Sequence, residues 1–146
     1  MADYPEKLAE ILADFSFITD PAERADYLIE FADRFQEVPE TIAARPFPKD
    51  HCVPACESEA YVWVERQPDR TLKLHFAVEN PQGLSAKAMA VILDETLSGL
   101  PPEQVAGISP EIVFTIFGKN ISMGRGQGLT SMVAMVQDLA RKYLNT

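Results

Sequence analysis

The sequence predicts an α+β fold in which a small antiparallel sheet packs against helices on one side. Ala60, Val62 and Val64 alternate with Tyr61, Trp63 and Glu65; after Gln67-Pro68-Asp69-Arg70, Leu72, Leu74, Phe76 and Val78 alternate with Thr71, Lys73, His75 and Ala77. That period of two, broken by a turn, marks a half-buried hairpin. Stretches with helical spacing lie before and after it, and helices gathered on one face of an antiparallel pair bury the apolar side of both. A length of 146 residues gives a single domain, 1–146, able to build its own core.

Taken in order, the first helix starts from a capping box of Asp3 and Glu6, with Leu8, Ile11, Leu12 and Phe15 on one stripe. The second starts at Asp20, with Pro21 at the first helical position and Glu23 three residues after the cap. Tyr27, Leu28, Phe31 and Phe35 form its apolar stripe, and the two helices are expected to form a hairpin. Prolines 39, 46, 48 and 54 keep the next segment extended or turning, because proline fixes φ and removes a donor. After the strands and the breaker Asn80-Pro81-Gln82-Gly83, Ser85 caps a helix through Leu97, which Gly99 and Pro101 stop. A short helical turn follows from Pro102. Ile112 to Phe117 carries β-branched residues that suit a strand and a Ser109-Pro110-Glu111 start that suits a helix; helix is preferred. Gly124, Gly126 and Gly128 read as a flexible loop. The last helix presents Leu129, Met132, Val133, Val136, Leu139, Ala140 and Tyr143 on one face.

The totals exclude several functions. With 47% hydrophobic and 24% charged residues, the chain reads as soluble and globular. A formal charge of −9 speaks against nucleic acid, which needs a basic face, and equally against an anionic membrane surface. A basic protein partner suits the charge, although acidity is also an ordinary route to solubility. Two cysteines are too few for a secreted disulfide framework. The N-terminus shows no basic region followed by an apolar stretch, and the longest compact apolar run, Ala88 to Leu93, is too short for a bilayer. The expected location is the cytoplasm, or an organelle stroma if a transit peptide has been removed.

Both cysteines lie in Lys49-Asp50-His51-Cys52-Val53-Pro54-Ala55-Cys56-Glu57-Ser58-Glu59, where a proline-punctuated segment feeds the first strand. A cysteine at such a loop tip can be presented to another molecule, and it reacts as thiolate. Asp50, His51, Cys52 and Cys56 resemble zinc ligands in type, but Cys-x3-Cys with an adjacent His lacks the distant second pair of structural zinc sites. The three glycines before the last helix lack the spacing of either nucleotide fingerprint.

Four segments together resemble the SufE family. Val53-Pro54-Ala55-Cys56-Glu57-Ser58 is similar to its Val-x-Gly-Cys-x-Ser loop. Ile121-Ser122-Met123-Gly124-Arg125-Gly126-Gln127-Gly128-Leu129-Thr130-Ser131-Met132 is similar to its Leu-Ser/Thr-x-x-Arg-x-x-Gly-Leu-x-x-Met segment. Tyr27 to Phe31 and Lys87 to Leu93 resemble its second and central helices. The resemblance implies the sandwich that this family shares with IscU-type scaffolds. It also implies a sulfur acceptor in iron–sulfur cluster assembly, loaded by a PLP-dependent, SufS-like cysteine desulfurase and serving a SufBCD-like scaffold complex, with no cofactor of its own. In that reading Cys56 is the sulfur acceptor, Arg125 supports the thiolate or the partner, and His51, where the family often has Asn, tunes the thiol. Cys52 has no counterpart and is either a resolving thiol or a spacer. Ala55 stands for the usual Gly, Glu57 for Gln and Tyr61 for Trp, with Trp63 two residues on; Asn80 to Gln82 replace an acidic stretch. Two alternatives stay open: an allosteric activator or binding module for the desulfurase with Cys56 incidental, and a metal or cluster scaffold using Cys52, Cys56 and His51.

Overall fold

In the computed structural model, which describes residues 4–145, the alternating runs form strands β1 (Ala60–Arg66) and β2 (Leu72–Val78). They pair antiparallel with Val62 opposite Phe76 and Val64 opposite Leu74. Ala60, Val62, Leu72, Leu74, Phe76 and Val78 thus share one buried face. Helix α3 (Leu84–Leu97) covers β2 there and α6 (Met123–Arg141) covers β1. Every residue from Ala88 to Leu93 is buried. A stretch apolar all round belongs in the interior, and this part of α3 packs among β2, α1 (Glu6–Phe17), α2 (Pro21–Ala32) and α6. The helices gather on one side of the sheet, as the pattern predicts.

The α1–α2 hairpin closes through aromatic packing: the Phe15 ring stacks on Tyr27 at 4.7 Å and on Phe31 at 6.1 Å between centroids. Asp20 caps α2 by accepting from the Ala22 amide, with Pro21 at the first helical position as read. The helix ends at Ala32, so Phe35 lies beyond it, though it still packs against the core. The capping box placed on Asp3 falls outside the described residues; α1 follows Pro5. Short helices α4 (Pro102–Ala106) and α5 (Ile112–Phe117) complete the layer. Helix wins over strand in α5 because Ile112, Val113, Ile116 and Phe117 then share one buried face. Arg24 ties these pieces together. Its guanidinium donates to the carbonyls of Phe15 and Ile18 at the end of α1, and of Thr115 and Ile116 in α5. Helix-end carbonyls lack intrahelical partners, so a half-buried guanidinium there satisfies several at once.

The opposite face of the sheet is also covered. The proline-rich segment is irregular apart from a 3-10 turn at Lys49–His51, and it lays Val38 and Phe47 over Trp63 and Ala77. Phe47 lies 5.2 Å from Tyr61 and 5.3 Å from Trp63, ring to ring. Trp63 is therefore only 6% exposed although its register points it away from the helices. Among the described residues no helix is long and apolar enough to cross a membrane.

Two local readings are corrected. Gly124, Gly126 and Gly128 do not form a flexible loop; all three lie in the first turns of α6. Ser122 caps that helix, its hydroxyl accepting from the Arg125 amide. Of the three, Gly128 is kept small by crowding, and tertiary packing overrides their poor helix propensity. Likewise Ser85 is not the cap of α3. The capping position is Gly83, without a side-chain bond, and the Ser85 hydroxyl is used elsewhere.

Candidate functional site

The loop from Val53 to Ala60 is closed at its base by the Val53 amide donating to Ala60 O at 2.8 Å. It turns back through Glu59 N to Cys56 O at 3.1 Å. Ala55 and Glu59 take φ of 56° and 53° to make the turn. This left-handed region costs an L-residue about 1–2 kcal/mol, so Ala55 sits where glycine would be unstrained. On one flank the loop is tied to the segment after β2 by Asn80 N donating to Ser58 O and Glu79 N to Glu59 O, both at 3.1 Å. On the other it rests on α6. A Cβ placed on Gly128 would stand 3.2 Å from Ala55 O and 3.3 Å from the Cys56 Cα. Only a glycine lets the helix approach the loop backbone this closely. Gly83 is equally confined, with an added Cβ 2.7 Å from Val78 Cγ1 and 3.0 Å from Ser58 Cβ.

Cys56 is thereby held partly buried, packed against the core and facing a cleft of about 220 Å³ between the loop, α3 and α6. Glu57, Ser85, Ala86, Arg125 and Leu129 line the same cleft. The Arg125 guanidinium donates to the Ser85 hydroxyl, a bond that joins the first turns of α3 and α6 across it. Guanidinium keeps its charge at every accessible pH and has further donors to offer. Glu57 reaches toward the N-terminal turn of α6, its Oε1 3.9 Å from where a Cβ on Gly124 would stand, a placement the helix dipole favours. The apolar floor is Ala86 and Leu129.

Cys52 lies at the mouth of the loop, bridged to Tyr61. Burial pushes its thiol above the ordinary range, and the negative charge of Cys56 and Glu59 adds to the rise, while a hydrogen bond with Tyr61 pulls the other way. Each of the first three disfavours thiolate. The Tyr61 hydroxyl is raised too, first by burial and then by the charge of Cys52.

His51 is placed apart. Its Nδ1 is 2.8 Å from Val62 O, which fixes that nitrogen as the donor, and its ring stacks on Trp63 at 5.2 Å. It lines a separate groove with Trp63, Leu139 and Tyr143. The structure therefore brings Cys56 and Arg125 to one cleft and leaves His51 out of it. Among the described residues no three His, Cys, Asp or Glu side chains group so as to hold a metal ion. Sequence reading missed Ser85, Gly83 and Gly128 as parts of the site. A serine two residues past a glycine looks like a cap, and nothing local signals a partner forty positions away.

Comparison with known proteins identifies the family. The family model of the SufE "Fe-S metabolism associated domain" matches residues 9–140. Uncharacterized SufE-like proteins from two strains of Mycobacterium tuberculosis are each 26% identical over 143 residues, covering 97% of this chain and 96% of theirs. One from Rhizobium etli is 25% identical over 136 residues, covering 92% and 89%. A solution structure of a hypothetical protein from Thermus thermophilus superposes with a TM-score of 0.77 at 23% identity, covering 99% of this chain and all of that one; at that identity it supports the fold. A family match that spans most of the sequence places this chain in the SufE family of iron–sulfur metabolism.

Proposed function

We propose that the protein accepts sulfane sulfur on Cys56 from a PLP-dependent cysteine desulfurase, stimulates that enzyme, and passes the sulfur toward an iron–sulfur scaffold complex in a reducing compartment such as the cytoplasm. The observation that carries this reading is the position of Cys56: on a strained, tied-down loop, partly buried, lining one cleft with Arg125. The Cys56 thiolate attacks the terminal sulfur of the desulfurase persulfide, the donor S–S bond breaks, and the enzyme's cysteine leaves as thiolate. Partial burial suits a carrier, because an exposed persulfide oxidises readily. Arg125 stabilises the sulfur anion or pairs with a carboxylate of the partner. Two apolar side chains left in solvent, Met123 (87% exposed) and Leu84 (43%), directly precede cleft residues Gly124 and Ser85. They give the partner an apolar contact at the rim.

The test is intact-protein mass spectrometry after incubation with desulfurase and cysteine. The wild type and Cys52→Ser gain a sulfur atom, Cys56→Ser does not, and Arg125→Ala gains it more slowly with its melting temperature little changed. Equal loss from the two cysteine substitutions refutes a single acceptor. Stimulation of the desulfurase surviving in Cys56→Ser favours a binding module instead.

A further inference from the structure

The cleft beside Cys56 holds more than a nucleophile. At about 220 Å³ it is smaller than the ~300–1,000 Å³ usual for drug-sized ligands, so what it can enclose is of amino-acid size. Three side chains of different chemistry meet there: the Cys56 sulfur, the Arg125 cation and the Glu57 anion, over the apolar Ala86 and Leu129. Arg125 is steadied by its bond to Ser85, which leaves other guanidinium N–H groups to donate. In a chain of net charge −9, a guanidinium and a carboxylate flanking one thiol form a matched set for a zwitterion.

Resting on the reading of Cys56 as a sulfur acceptor, we infer that the cleft is a binding site for free cysteine persulfide, so that Cys56 can be loaded by a small α-amino-acid donor without a desulfurase. The donor's carboxylate lies on Arg125, its ammonium on Glu57, and its sulfane sulfur at Cys56. Cys56 gives up its proton and, as thiolate, attacks the terminal sulfur of R–S–SH. The donor S–S bond breaks as the Cys56 S–S bond forms, leaving Cys56–S–SH and R–S⁻, and the leaving cysteine thiolate takes up a proton from solvent. Sulfane sulfur is exchanged between two thiols of equal oxidation level, so no oxidant or reductant is consumed. Glu57 stands at the position where the family resemblance leads one to expect Gln, which makes the ammonium contact a property of this chain rather than of the motif.

The experiment compares three donors on the purified full-length protein: cysteine persulfide, N-acetylcysteine persulfide, which lacks the ammonium, and cysteine methyl ester persulfide, which lacks the carboxylate. The rate of sulfur gain at Cys56 is followed by mass spectrometry. The zwitterion is expected to load about tenfold faster than either analogue, the scale of one charge-assisted hydrogen bond in a half-open cleft. Glu57→Gln collapses the preference over the N-acetyl donor and Arg125→Ala collapses the preference over the ester, while Arg125→Lys keeps part of it. Equal rates for the three donors, preferences that survive both substitutions, or sulfur appearing on Cys52 each overturn the inference. If the desulfurase loads Cys56 while no small donor is preferred, the acceptor reading stands and this inference falls. If neither source loads Cys56, both fall.

Discussion

Replacing Gly128 by alanine tests whether the approach of α6 to the cysteine loop sets the position of the thiol. The new Cβ would lie 3.2 Å from Ala55 O, 3.3 Å from the Cys56 Cα and 3.7 Å from its Cβ. The first two are backbone atoms, so no side-chain rotation relieves them, and the loop must lift by a few tenths of an ångström. Two opposed terms set the stability. Alanine in place of glycine inside a helix gains about 1 kcal/mol, whereas overpacking costs about 1–3 kcal/mol. The net falls between no change and a loss of about 2 kcal/mol. Activity should respond more strongly: an ångström of misplacement can cost about a hundredfold, so a shift of this size is expected to slow sulfur loading on the order of tenfold. Two other glycines of the same helix serve as controls. At Gly126 an added Cβ meets Ile121 and Phe114 side chains at 3.5 and 3.8 Å, and at Gly124 it meets Glu57 Oε1 at 3.9 Å, all ordinary contacts. Denaturant unfolding and desulfurase-driven sulfur loading are measured on all three variants. If Gly128→Ala gains the full helix-propensity increment and loads sulfur at the wild-type rate, the contact does not hold the loop and the thiol is positioned by other means.

Ala55→Gly should relieve the strain at φ 56°, and after subtracting the unfolded-state entropy of glycine it stabilises the fold by up to about 1 kcal/mol; slower alkylation of Cys56 in the variant would contradict the looser loop this predicts. Arg24→Met keeps the apolar stem but removes the guanidinium donors from the carbonyls of Ile18, Thr115 and Ile116, while Phe15 O keeps the Ile18 amide; a loss of about 2 kcal/mol or more is expected in denaturant unfolding, and a change within error would mean water replaces the guanidinium. In the Cys56→Ser variant, where Cys52 is the remaining thiol, iodoacetamide should react slowly at neutral pH and speed up only above the ordinary thiol range. The sign follows from burial and Glu59, which favour the protonated thiol in the folded state. The corresponding stability is therefore present below the unfolded thiol pKa and lost as pH rises through the folded one. Fast labelling of Cys52 at neutral pH would show that the thiol is not sheltered.

What the sequence determined by itself was local and periodic. Alternation from Ala60 to Val64 and from Leu72 to Val78 sets both strands and their inward faces, because the pleat has a period of two whatever surrounds it. Asp20-Pro21 marks the start of α2 for the same reason: a cap bonds to its own next turn. The resemblance of Val53 to Ser58 and of Ile121 to Met132 pointed to Cys56 and Arg125 as the residues to examine. Tertiary structure alone decided how they meet. Gly128 reads identically whether it loosens a loop or lets a helix pass beneath one, and the difference lies in the Ala55 and Cys56 backbone above it. The Ser85 hydroxyl looks like a cap until α6 brings Arg125 to it. Trp63 lies on the outward side of its strand and is buried only because Val38 and Phe47 fold back over it. His51 stands five residues before Cys56 yet turns to Val62 and Trp63 on the far face of the sheet. Each of these outcomes depends on the free energy of close contact between segments distant in the chain, and no window of neighbouring residues contains that term.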